Sequence, residues 1–334
     1  MNARAFGSGA VALGLVLAAV VGAQEAALDR RVSAVADGAV ELRFAARPDA
    51  CGDGAHWYRL GTDTWYGSVG GTDDAGLRAA CGEGPVRVRL TVASREIVRI
   101  ESFVGPLRTG EGATDLGEVP ATEASAWLLS LASRLDGRPA RDAIAPAMLA
   151  RVSAPGAASA ALQTLARNEE RSHDTRRAAL GALLRAEGNA GVPTLLALVD
   201  RAEDAWLTRE ALRVVARSGD PRARAHLRAV VQDARRDESL RLIAVSGLGN
   251  DFANAADATV LRAVYRALET ERARGAVLGA LAGIGGKANA EWLSAIARDA
   301  DESPALRRRA VQALERIDSP EAMNGLMMLA NPER

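Results

Sequence analysis

Few side chains in this sequence could carry chemistry: the histidines His56, His173 and His226, the cysteines Cys51 and Cys81, a recurring arginine, and one knot of aromatics. His56 with Asp53 could begin a metal site, but the other two histidines lie far along the chain in helical sequence, and no Cys or His stands at ligand spacing from any of them. Asp53 and Asp73-Asp74 offer oxygen to calcium without the regular alternation of a calcium loop. There is no Gly-x-Ser-x-Gly, no His-Glu-x-x-His and no phosphate-binding glycine loop. The chain therefore reads as one that is not an enzyme, with no catalytic residues, no metal and no cofactor.

The aromatics concentrate in His56-Trp57-Tyr58-Arg59-Leu60-Gly61-Thr62-Asp63-Thr64-Trp65-Tyr66, which holds four of the chain's twelve (Phe 4, Trp 5, Tyr 3). Trp57, Tyr58, Trp65 and Tyr66 could stack on sugar rings or clasp an extended peptide, because each joins apolar area to a polar tip; they could equally be the core of a small domain short of large residues. The recurring arginine stands at Arg176, Arg241, Arg274 and Arg307, with Arg209 beside the one exception, Thr208. A ladder of guanidinium forks would suit carboxylates on a partner. The structural alternative pairs these arginines, within or between repeats, with acidic residues near helix starts such as Asp174, Asp237, Glu271 and Asp301.

The elements that must position these groups begin after residues 1–23, which follow the plan of a secretory signal: Arg4, then the apolar run Ala10 to Val21, then small residues before an expected cleavage ahead of Gln24. The run is too short to span a membrane. Export to the periplasm or beyond implies an oxidising compartment, in which Cys51 and Cys81 are expected to pair and to staple the Gly- and Asp-rich segment between them. A redox-active pair is the alternative, although such cysteines usually lie closer in sequence. With Lys+Arg and Asp+Glu both at 42, no global charge favours nucleic acid or an anionic membrane surface.

Residues 24–120 read as a small antiparallel β-rich domain. One expected hairpin sets Val32–Val35 against Val40–Phe44 about Asp37-Gly38. The other sets Val86, Val88, Leu90 and Val92, which alternate with polar residues, against Glu96–Val104. After Pro120 the composition turns to Ala, Leu and Arg, and residues 121–155 read as a cap of two helices joining the sheet to the helical remainder of the chain.

From 156 to 334 the sequence repeats. Anchors at Ala179, Ala211, Ala244, Val277 and Ala310 step by 32, 33, 33 and 33 residues, each with apolar partners one and four residues on. A second series, Leu162, Leu195, Leu227, Leu261, Leu293 and Leu326, runs out of phase, so each unit holds two helices. Such pairs must stack to bury a common core. Gly181, Gly247 and Gly279 read as points of close helix packing.

The segments Asp174-Thr-Arg-Arg-Ala-Ala-Leu, Asp237-Glu-Ser-Leu-Arg-Leu-Ile-Ala-Val and Asp301-Glu-Ser-Pro-Ala-Leu-Arg-Arg-Arg-Ala-Val resemble the HEAT-repeat superfamily, in its short form known as PBS-lyase HEAT-like repeats, over about residues 157 to 330. The resemblance implies a mainly α fold, a right-handed α-solenoid of HEAT-like helical hairpins after the small β-rich domain. It also implies protein-binding scaffolding, and so an exported, non-catalytic scaffold holding a protein or peptide on the solenoid surface. A glycan bound by the aromatic β module is the alternative.

Overall fold

The computed structural model describes residues 27–61, 64–67, 81–106, 112–152, 155–185, 191–201 and 204–330; along β4 it describes the backbone alone. The expected signal segment and Asp73-Asp74 lie outside these residues. The protein is mainly α-helical, with its β-strands on the N-terminal side. The chain divides into two compact units, residues 1–187 and 188–334. Among the described residues no helix is long and apolar enough to cross a membrane.

In the first unit the strands are β1 (Gly38–Phe44), β2 (Ala50–Gly52), β3 (Trp57–Leu60), β4 (Thr64–Gly67), β5 (Val86–Ala93), β6 (Glu96–Val104) and β7 (Ala113–Glu118). They form a four-stranded sheet in the order β6-β5-β1-β7 and a three-stranded sheet β2-β3-β4. The β5–β6 hairpin is the one read from the alternation, closed by Ser94 and Arg95 at φ 53° and 67°. The other expected hairpin is corrected. Residues 27–33 are helical, and β1 pairs antiparallel with β5 and parallel with β7, so the sheet is mixed. Leu28 and Val32, four residues apart and buried, are one face of a helical turn. Asp29, within that turn, ties it to α-helical residues far along the chain, accepting from Trp127 Nε1 at 3.1 Å and Arg134 Nη2 at 2.7 Å.

Cys51 and Cys81 form a disulfide, with Cα atoms 5.3 Å apart. It closes an edge of the small sheet, where Gly52 and Gly82 exchange backbone hydrogen bonds at 3.0 Å. After the strands this unit holds α1 (Ala121–Arg134), α2 (Gly137–Ala147), α3 (Pro155–Arg167) and α4 (His173–Leu184). The buried Arg47 joins strands to helices: its Nη1 donates to the carbonyls of Arg185 at 2.9 Å and Met148 at 3.4 Å, while Nε and Nη2 hold Asp49.

The second unit contains α5 (Val192–Arg201), α6 (Ala205–Val215), α7 (Pro221–Gln232), α8 (Glu238–Leu248), α9 (Ala255–Val264), α10 (Glu271–Ile284), α11 (Lys287–Arg298), α12 (Pro304–Glu315) and α13 (Pro320–Ala330). Each odd-numbered helix up to α11 packs on the even-numbered helix after it, and α6, α8, α10 and α12 pack in succession, so the even helices form one row. Side chains at the starts of that row satisfy free backbone N–H groups: Asp204, Asp237, Thr270 and Ser303 cap Trp206, Ser239, Ala273 and Leu306. The anchors Ala211, Ala244, Val277 and Ala310 and the leucines Leu195, Leu227, Leu261 and Leu293 are fully buried. The sequence period is thus the period of the core.

Candidate functional site

The even row carries the exposed face of interest. Along α8, Ser239, Leu242, Ile243 and Ser246 recur at helical spacing and form the floor of a groove of about 460 Å³. Arg209 and Arg213 of α6 border it on one side and Arg272, in the first turn of α10, on the other. The polar atoms of the floor are largely engaged within the protein. The Ser246 hydroxyl donates to the Leu242 carbonyl at 3.1 Å, Thr270 bonds Glu238, and Arg213 pairs with Glu210. Among the described residues neither Arg209 nor Arg272 makes a side-chain hydrogen bond or an ion pair, although Arg209 helps the bonds from Ser239 to hold Asp237 below its usual carboxylate range. Two available guanidinium groups therefore flank an aliphatic strip. Such a surface can accept carboxylates on either side of an apolar side chain.

The other arginines of the series have different duties. Arg176 and Arg241 are buried, and each turns Nε back to a carbonyl at the end of the preceding helix: Ala166 at 2.9 Å and Val231 at 3.1 Å. Arg274 turns Nε to the Leu268 carbonyl, in the connection after α9, at 3.1 Å and reaches Glu302 at 3.1 Å. Carbonyls at a helix end lack intrahelical donors and carry the negative end of the dipole, so a guanidinium there is favoured. Arg274 thus pairs between repeats with an acidic residue at a helix start, Glu302 just before α12, whereas for Arg241 the expectation is corrected, since it bonds carbonyls in place of Asp237. Arg307 is half-buried, and its charge acts on Asp299. Of the five arginines, only Arg209 lines the groove.

The aromatic knot is divided by burial. Trp57 and Tyr58 retain 8% and 7% exposure, which makes them core side chains of the β part, with Ser102 Oγ donating to the Tyr58 hydroxyl at 3.5 Å. Trp65 and Tyr66 stand on β4, opposite Arg59 and Tyr58 in register, and their side chains lie outside the description. His56 is exposed and touches Asp53 at 3.2 Å, while Asp53 accepts three backbone N–H groups of its own turn. Among the described residues no group of three or more His, Cys, Asp or Glu is placed to hold a metal ion.

Arg272 and the aliphatic pair Leu242 and Ile243 were missed from the sequence. The available signal was their position: Leu242 stands two residues before the anchor Ala244, where Arg209 stands before Ala211. A second groove, of about 430 Å³, lies in the first unit between α1 and α3. Three of its hydroxyls are satisfied internally, Ser125 to Ala147, Ser133 to Ser130 and Thr164 to Ala160.

No protein-family model and no curated protein matches this chain. Among solved structures it is similar to human deoxyhypusine hydroxylase in complex with glycerol, at 17% identity and a TM-score of 0.30, over 65% of this chain and 86% of that one. The similar protein is an enzyme, and the expectation that this chain is not one is corrected on that finding. Missing motifs exclude only the chemistries those motifs carry. A likeness at this level assigns neither a reaction nor a ligand to this chain.

Proposed function

We propose that this is an exported protein whose helices form a right-handed α-solenoid of HEAT-like hairpins, and that it binds a segment of a partner protein or peptide along its even-numbered helices. Support for the architecture comes from the constant repeat step and from the row of even helices. Support for export comes from the apolar N-terminal run and the disulfide. The observation that carries the binding reading is Arg209 and Arg272, without side-chain hydrogen bonds among the described residues, flanking Leu242 and Ile243. The matching segment bears a large apolar side chain between acidic residues. The glycan reading loses the side chains of Trp57 and Tyr58, which are buried.

Fluorescence anisotropy with a panel of acidic-aliphatic peptides tests this. Each of Arg209→Glu and Arg272→Glu should weaken the best binder about tenfold or more, since a charge-assisted hydrogen bond is worth roughly 1.5–3 kcal/mol. The wild-type affinity should also fall with added salt. Peptide affinity indifferent to both substitutions and to salt would sink the assignment of the groove.

A further inference from the structure

We infer that a third groove, on the odd-numbered helices of the second unit, is a binding site for a small carboxylate carried on a ring, whether of a sugar or of an aromatic acid. The groove, of about 470 Å³, is lined from α9, from the turn Tyr265–Ala267 that follows it, and from the α11 region. Its volume falls within the roughly 300–1,000 Å³ of small-ligand sites. Trp292 and Tyr265 line it together with Arg262, Arg266, Arg298 and Asp299. None of these residues borders the groove on α8, and the inference does not rest on that one.

The aromatic wall of this groove is held from behind. Tyr265 is 1% exposed, and its hydroxyl donates to Glu302 Oε2 at 2.9 Å, while Arg274 holds the other oxygen of that carboxylate at 3.1 Å. Trp292 meets the Tyr265 ring edge to face, with 5.1 Å between centroids and 88° between planes. The indole therefore rests on a buried network. It stays half-buried itself, and among the described residues its Nε1 donates no hydrogen bond. An indole N–H in such a place ordinarily finds an acceptor.

The charges around the indole do not balance. Arg266 pairs with Asp299, joining the turn after α9 to the end of α11. Arg262 donates to Asn289 and, at 3.3 Å, to the Thr259 hydroxyl, both of them neutral. Arg298 bonds the Ser294 carbonyl of its own helix through Nε at 3.1 Å, and among the described residues its two terminal nitrogens have no partner. Three guanidinium groups thus meet one carboxylate. Packing accounts for Arg262 and Arg266, which tie neighbouring odd helices together, but Arg298 ties nothing beyond its own helix. A guanidinium fork takes a carboxylate through two parallel hydrogen bonds, and an indole offers apolar area to a ring. A ring bearing a carboxylate uses both features at once, with Trp292 Nε1 as a further donor, whereas a bare anion uses the charge alone.

Titration of the full 334-residue chain, followed by calorimetry and by tryptophan fluorescence, tests the inference with a glucuronate disaccharide, its neutral glucose counterpart, naphthoate and acetate. At least one of the two ring carboxylates should bind, and the tighter of them names the source; the neutral sugar and acetate should not. Trp292 is one of five tryptophans, so Trp292→Phe, which keeps a ring against Tyr265, should abolish the fluorescence change and thereby place the ligand. Arg298→Ala removes a bond only within its own helix, so the melting temperature should hold while the affinity falls about tenfold or more. Neither ring carboxylate binding at millimolar concentration, acetate binding as well as they do, or an affinity indifferent to Arg298→Ala overturns the site. Peptide affinity at the α8 groove is measured separately, so either assignment can fail alone.

Discussion

Arg224 and Asp257 form a buried ion pair that joins α7 to the first turn of α9. Asp257 also accepts from Arg228 at 2.8 Å and from the Asn254 backbone N–H at 3.0 Å, so one carboxylate satisfies two arginines and a helix start. Asp257→Ala leaves a buried guanidinium unpaired and should cost about 3–5 kcal/mol in urea unfolding. Replacing both partners together with apolar residues, as in Arg224→Met with Asp257→Leu, should cost much less. A loss below about 1 kcal/mol for Asp257→Ala would mean that water reaches the pair.

Arg241, three residues before its anchor, and Arg209, two residues before its own, should respond oppositely. Arg241→Ala uncaps the Val231 carbonyl and should cost about 1.5–3 kcal/mol of stability. Arg209→Ala, on the exposed rim, should change stability by no more than about 0.5 kcal/mol while weakening the peptide. Chemical denaturation beside the anisotropy assay separates the two effects.

Two helical glycines give an equally sharp contrast. A Cβ on Gly247 would lie 2.6 Å from the Ala216 Cβ and 2.9 Å from its Cα, whereas one on Gly279 would meet nothing within 4 Å. Alanine in a helix is favoured over glycine by about 1 kcal/mol, and overpacking against backbone costs roughly 1–3 kcal/mol. Gly247→Ala should therefore lower the melting temperature and Gly279→Ala should raise it. The close-packing expectation thus applies to Gly247; Gly181 faces only the tip of the Arg185 side chain.

Asp136 offers a pH test. The Thr175 hydroxyl, donating at 2.5 Å, and then the Ser172 hydroxyl and backbone N–H, outweigh partial burial and hold this carboxyl at about 2, below its ordinary 3.8. A depressed carboxylate stabilises the fold above its ordinary value, and that contribution is lost as pH falls from about 3.8 through about 2. Thr175→Val should move the Asp136 carboxyl upward in an NMR titration and flatten the acid limb of melting temperature against pH. An unmoved titration midpoint would remove Thr175 as the cause.

Reduction of Cys51–Cys81 reopens a loop of 30 residues. In the chain-entropy model this costs about 3–4 kcal/mol, which a melting curve with and without reductant should register.

The helical period and the residues that fill the core were legible along the chain, down to Ala211, Ala244, Val277 and Ala310 at full burial. This is so because burying one apolar face is a demand each helix meets through its own spacing at i, i+3 and i+4. The β5–β6 hairpin was legible for the same local reason. Tertiary structure decided the rest. Residues 27–33 become a helix with Asp29 tied to Trp127 and Arg134, roughly a hundred residues away, and β7 joins β1 in parallel across some 70 residues. Arg241 finds the Val231 carbonyl, whereas Arg274, at the same place in the repeat, divides itself between the Leu268 carbonyl and Glu302. A polar group's partner depends on which turn of which neighbouring helix lies within about 3 Å of it, and spacing along a single helix does not specify that distance.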